Sequence, residues 1–450
     1  MVHFIWHGPT FLVQQTWLFM TVDSWDNHQY EFKDSLVPLF AFLMATAYAL
    51  YILAYPPMRR KLSICVLAIP IVYAFYYQNS LFPSETVSDT FGRFLYIWFA
   101  NMSYEITILE YSPPITKEND GWKSRLREAY RILFCRTHQK SVPASYQYDD
   151  ADLKASERAN RGTIAYMATS APKHTYTRSQ FLFYHIWKAT YLFLLQAVWG
   201  VISRYYISSN HLIYGLKYAS FFRRIPEAFT VVEMWSRIET VFQWCIMNMF
   251  LYEAYHSLFA VIFVGIGLDQ SKDWSLSLFG PLSNAWSVRR YWGKHWHNYI
   301  YHSFSGHAKV LTRKWLGMRR GATTTRLVEN TIVFGVSGLM HSAVRWAQSG
   351  SDYDYWCISI WYVAQMIPIV IEGVAQEAWR RKKKELGVRQ TESLRRAERW
   401  VGYAWVIGWN MWSIPKYTHT RNEWTDRARM KRYTRDLAEE AVDGEDGGAD

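Results

Sequence analysis

The chain has 450 residues, of which 50% are apolar and 18% aromatic, with 23 Trp, 32 Tyr and a net charge of +12. Half apolar is ordinary for a soluble domain, whereas Trp and Tyr in this abundance suit membrane interfaces. The four cysteines, Cys65, Cys135, Cys245 and Cys357, form no C-x-x-C pair and support neither a disulfide framework nor a zinc ribbon; the surplus Lys and Arg fall in loops between apolar runs, the mark of membrane topology rather than of nucleic-acid binding.

In chain order, residues 1–35 read as a lumenal N-terminal segment. Within it Phe11 to Val22 is apolar but short, and it lacks the basic region and small-residue site of a cleaved signal peptide. The apolar runs that follow are Leu36 to Tyr55, Leu62 to Tyr77, Gly92 to Leu109, Phe181 to Ile207 and Ile238 to Gly267. Leu327 to Trp346, Tyr355 to Trp379 and Trp400 to Ile414 complete the series. A helical span needs roughly 20 apolar residues, so the pattern predicts an all-α polytopic protein with about eight spans. The fifth run is long enough to tilt or break, and the last short enough to be interfacial.

Charge orients these runs. Arg59-Arg60-Lys61 is basic, Gln78 to Phe91 has Glu85 and Asp89 without Lys or Arg, and Thr116 to Arg178 is basic again. Lys272 to Arg326 and Arg380-Arg381-Lys382-Lys383-Lys384 are also basic, while Gln348 to Asp354 is acidic. The positive-inside rule then puts the N-terminus in the lumen and the large loops in the cytosol. Ser208 to Arg237 and the basic tail from Lys416 resist that scheme. The implied organisation is a first group of spans at 36–112, a polar cytosolic insert at 113–180, a membrane core at 181–414 and a charged, partly disordered tail at 415–450.

Two places carry chemistry. The first is Phe279-Gly-Pro-Leu-Ser-Asn-Ala-Trp286-Ser-Val-Arg289-Arg290-Tyr291-Trp292-Gly-Lys294-His295-Trp296-His297-Asn298 and the residues up to Phe304. As a helix, it would align Trp292, Trp296, Tyr299 and Ser303 on one face, which suits an amphipathic helix on the cytosolic membrane surface. His295, His297, His302 and His307 show neither HxxxH nor HxxHH spacing, and no metal site is expected. The second is His341, inside Gly335-Val-Ser337-Gly338-Leu-Met-His341-Ser342. An ionisable side chain in a span marks a functional site by default. A structural histidine, hydrogen-bonded to a neighbouring helix, accounts for the residue equally well. Gly335, Gly338 and Ser342 would let another helix or a substrate come close.

Together, Trp286-Ser-Val-Arg289-Arg290-Tyr291-Trp292-Gly-Lys294-His295-Trp296-His297 and the later Ser-Gly-Leu-Met-His341 resemble the wax-synthase-like branch of the membrane-bound O-acyltransferase superfamily, whose signature is Ser-Leu-x-x-Phe-Trp-Gly-x-x-Trp-(Asn/His). Tyr291 stands where Phe is usual, and His297 where better-known relatives carry Asn. His after the second Trp and the polar insert look most like fungal members that acetylate hydroxyls of terpenoid or meroterpenoid metabolites. The resemblance implies an endoplasmic-reticulum enzyme that moves an acetyl group from acetyl-CoA, a co-substrate rather than a resident cofactor, to a lipophilic alcohol. His341 would be the general base, with His297 positioning the thioester or stabilising the oxyanion. Arg289, Arg290, Trp292, Lys294, Trp296 and Asn298 would hold the acyl-CoA. A long-chain wax or sterol ester synthase is the rival within the class, and a polytopic transporter or receptor the rival outside it. The acceptor alcohol and the oligomeric state are not legible.

Overall fold

The computed structural model describes residues 32–81, 85–113, 121–134, 176–203, 218–219, 230–274, 277–296, 301–349 and 355–446. His297 and Asn298, and the apolar stretch Phe11 to Val22, lie outside them. Every regular element among the described residues is helical. The helices are α1 (Phe32–Ala54), α2 (Arg60–Tyr76), α3 (Glu85–Ser103), α4 (Trp122–Leu133) and α5 (Arg178–Ile202), followed by α6 (Val231–Phe242) and α7 (Asn248–Gly265). After the signature segment come α8 (Tyr301–Lys309), α9 (Thr323–Ser349), α10 (Trp356–Ala364), α11 (Met366–Glu385) and α12 (Glu392–Asp446).

The described part of each of the eight apolar runs falls largely on helix. Four stretches are long and apolar enough to cross a membrane: Asp34–Ala54, Val231–Gly265, Thr323–Gln348 and Trp356–Glu385. The other runs are shorter or more polar. Helix α2 has 17 residues, α3 carries Asp89 and Arg93, and α5 is interrupted by His185, Lys188 and Gln196. The fifth run lies in one 35-residue helical stretch, in which a π-helical turn over Gln243–Met247 joins α6 to α7 without breaking it. The last run lies within α12, which is 55 residues long and is not one of those four stretches.

Capping fixes where helices begin. Thr177 and Gln180 form a reciprocal capping box at α5, and the Thr230 hydroxyl accepts the Glu233 N–H at α6. An amphipathic helix is present, but in the basic insert: α4 buries Ala129 and Leu133 in the core that α1, α2 and α3 share. There Trp98 Nε1 donates to the Leu133 carbonyl at 2.9 Å.

Three helices form the part of the bundle that matters for the site. At the α9–α10 crossing, a Cβ on Gly338 would sit 2.8 Å from Ser359 Cα, so only glycine permits this approach. Next to it, the Ser342 hydroxyl lies 2.8 Å from the Tyr355 carbonyl oxygen and 2.7 Å from the Ser359 hydroxyl. Helix α12 runs antiparallel to α10, with Trp361 Nε1 donating to the Ser413 carbonyl at 2.8 Å and Trp409 Nε1 to Gln365 Oε1 at 2.9 Å. Its basic continuation therefore emerges at the Tyr355 end, where Asp89 faces Arg93, Arg345 and Arg421.

Gly338→Ala should force α9 and α10 apart and cost about 1–3 kcal/mol, as overpacking a close contact does. A thermal midpoint in detergent indistinguishable from wild type would contradict that contact.

Candidate active site

The signature segment is not the single surface helix its periodicity predicts. Gly280 and Pro281 open it, a 3-10 turn covers Leu282–Asn284, and Ser287 caps a short turn at Val288–Arg290 by accepting the Arg290 N–H. A π-helical turn then spans Tyr291–His295, closed by the Trp296 N–H bonding to the Tyr291 carbonyl at 2.7 Å. Trp296 itself is extended, so its side chain leaves the helical register that the 100° projection assumes. Tyr291, His295 and Trp296 are 3%, 0% and 7% exposed, so these three rings enter the protein core.

Two buried carboxylates that the sequence reading passed over fasten this segment. Glu253 of α7 accepts the backbone N–H of Leu278 at 2.8 Å and of Phe279 at 3.2 Å, together with the Ser277 hydroxyl and the Lys188 ammonium. Glu372 of α11 accepts the N–H groups of Val288 and Arg289. A buried polar atom must be paired or it costs about 1–3 kcal/mol, and here each carboxylate satisfies backbone donors that the irregular loop leaves over. Both lie in apolar runs, so the argument applied to His341 was the signal that would have found them. Glu372→Ala should therefore loosen the segment, seen as faster protease nicking between 280 and 296 with the rest of the bundle intact. Unchanged nicking would remove the brace.

The cations of the segment divide. Arg289 is exposed and Lys294 half-buried. Burial, then the neighbouring Arg290 charge, lowers the Lys294 pKa. Arg290 is bound into the loop: it donates to the Asn284 side-chain oxygen at 2.6 Å and carbonyl at 3.2 Å, and lies 4.6 Å from the Trp286 ring centre. Arg290 thus shapes the loop that presents Arg289 and Lys294.

An aromatic path joins the segment to His341. Trp296 stacks on Trp244 of the α6–α7 turn, centroids 4.6 Å apart and planes 6° off parallel. Trp244 meets Trp361 edge-on at 5.8 Å, and Tyr362 stacks on the His341 ring at 4.6 Å and 11°. Trp292 packs edge-on against both Trp244 and Phe334, the latter on α9 two turns before His341. His341 Nδ1 is shut off from solvent. Behind Tyr362, Arg93 donates to the Tyr252 hydroxyl at 3.1 Å and pairs with Asp89. The sequence-derived residues Trp292, Trp296 and His341 are therefore brought into one aromatic assembly, with Arg289 and Lys294 at its outer edge.

Comparison with known proteins falls on this same region. Residues 274–364 match the Membrane bound O-acyl transferase family. Acetyltransferase aurG of Calcarisporium arbuscula is 31% identical over 168 residues, 37% of this chain and 39% of its own length. Acetyltransferase fsoF of Humicola fuscoatra is 28% identical over 256 residues, covering 55% of this chain and 60% of its own. Acetyltransferase ataH of Aspergillus terreus is 26% identical over 190 residues, 42% of this chain and 60% of its own. The matched stretches thus span about two to three fifths of those relatives. No solved structure matches the chain. The family match covers both the Trp-Gly-x-x-Trp-His segment and His341, and so bears out the resemblance on the residues that carried it.

Proposed function

We propose that the protein is a membrane-bound O-acyltransferase that moves an acetyl group from acetyl-CoA to a hydroxyl of a lipophilic metabolite of terpenoid or meroterpenoid type. The observation that carries this is His341: an imidazole in a helix long and apolar enough to cross a membrane, stacked on Tyr362 and joined through Trp361 and Trp244 to the segment that matches the family. The acetyltransferases to which the chain is similar favour the short acyl group over the long-chain alternative.

In this account the phosphates of the donor are drawn to Arg289 and Lys294, the cations at the outer edge of the site. The thioester reaches inward past Trp296 and Trp292. Neutral His341 accepts the hydroxyl proton as the alcohol oxygen bonds to the thioester carbonyl carbon. The carbon–sulfur bond then breaks, and the departing thiolate takes the proton from the imidazolium, leaving ester and free CoA. His297, outside the described residues, or Asn298 beside it, supplies a hydrogen bond to the developing oxyanion. No acyl-enzyme is needed. The membrane of action is the endoplasmic reticulum.

Mass spectrometry of terpenoid alcohols recovered from membranes that carry the protein and were given acetyl-CoA tests this. O-acetyl products absent from membranes lacking the chain are expected. A full panel of alcohols returned unmodified would overturn the assignment.

A further inference from the structure

His295 stands in sequence between Lys294 and Trp296, its ring beside that of Tyr291, which stacks on Trp296, and the mechanism above gives it no task. It is 0% exposed. Its Nδ1 stands 2.6 Å from the Gly280 carbonyl oxygen, and the Gly280 N–H returns a bond to the His295 carbonyl at 2.9 Å. A carbonyl oxygen only accepts, so Nδ1 carries the proton and Nε2 presents a lone pair. Burial, opposed by that Gly280 bond, lowers the imidazole pKa, which keeps the ring neutral and Nε2 an acceptor. Nε2 is shielded from solvent and has no hydrogen-bonding partner among the described residues. Tyr291 and Phe279 cover the ring, with centroids at 5.4 and 6.4 Å.

A buried acceptor left unpaired costs about 1–3 kcal/mol, and a tautomer fixed at one nitrogen with the other waiting is an arrangement made for a donor that arrives. The position says which donor. Lys294 precedes His295 at the edge where phosphate would sit, and Trp296 follows it at the start of the path to His341. The part of an acyl-CoA lying between its phosphates and its thioester is the pantetheine arm, whose amide N–H groups are hydrogen-bond donors.

We propose that His295 Nε2 is a binding site for the acyl donor's pantetheine arm, accepting a hydrogen bond from one of its amide N–H groups. This rests on the acyl-CoA assignment above. Its role is to fix how deep the arm enters, and so where the thioester stops.

The test is equilibrium binding to the full-length protein in detergent, with two probes: CoA, and adenosine 3′,5′-bisphosphate, which has two of CoA's three phosphates and no arm. His295→Asn is the informative variant, because its amide nitrogen keeps a donor near the Nδ1 position while Nε2 is lost. It should weaken CoA about tenfold and leave adenosine 3′,5′-bisphosphate unchanged. His295→Phe, which also loses the Gly280 bond, should weaken CoA at least as much. Unchanged CoA affinity in His295→Asn overturns the site, and points to a water at Nε2. An equal loss for both probes also overturns it, since a general disturbance of the loop would be the cause. Acetyl transfer by the wild type, measured alongside, separates the two claims. Transfer with unaltered CoA binding in the variant removes only His295, whereas a wild type that neither binds CoA nor transfers acetyl removes both.

Discussion

Replacing His341 by alanine is expected to lower ester formation by about 10²–10⁴-fold, the usual contribution of a positioned general base, with protein abundance near that of the wild type. The ring stacks on Tyr362 and fills space beside the close α9–α10 crossing, so some packing is lost as well. His341→Gln separates the two effects. Glutamine fills most of that space and keeps hydrogen-bonding atoms, but it takes up no proton near neutral pH. Both variants should be inactive to the same degree if the imidazole is the base. Activity recovered in Gln, at equal abundance, would make His341 a packing and positioning residue instead.

The largest effect on stability is expected at Glu253. Its carboxylate meets the Lys188 ammonium and three donors of residues 277–279, with the two charged side chains 8% and 14% exposed. Glu253→Ala leaves a cation and three donors uncompensated, and should cost about 3–5 kcal/mol, as breaking a buried pair from one side does. Removing both charges is the discriminating comparison. Glu253→Gln with Lys188→Met keeps a carbonyl oxygen for the loop N–H groups and buries no ion, so it should recover much of the loss. A thermal midpoint for Glu253→Ala close to wild type would show that water already reaches the pair.

How far these residues were legible differs from case to case. Helix positions follow from run length, because a helix across the bilayer needs a continuous apolar stretch: Leu327 to Trp346 falls within α9, and Leu36 to Tyr55 overruns α1 by one residue. What periodicity misjudged was the signature segment. A 100° projection assumes unbroken helix, but Gly280, Pro281 and the Ser287 cap break it, and the π turn at Tyr291–His295 with the extended Trp296 takes that side chain off the projected face. Glu253 and Glu372 were open to the same physical argument as His341, being ionisable groups in apolar runs. Their role was hidden because their partners are backbone N–H groups, which no residue type announces. The pairing of His295 with Gly280 is a contact between loop residues that no sequence period encodes.

The most direct measurement supplies radiolabelled acetyl-CoA and palmitoyl-CoA, side by side, to membranes that carry wild type or His341→Ala at matched abundance, with the same terpenoid alcohols. Label should pass from acetyl-CoA to alcohol in the wild type and fall to background in His341→Ala, with little transfer from palmitoyl-CoA. Equal transfer by both proteins would contradict the assignment of His341, and label from neither donor in the wild type would contradict the transferase itself.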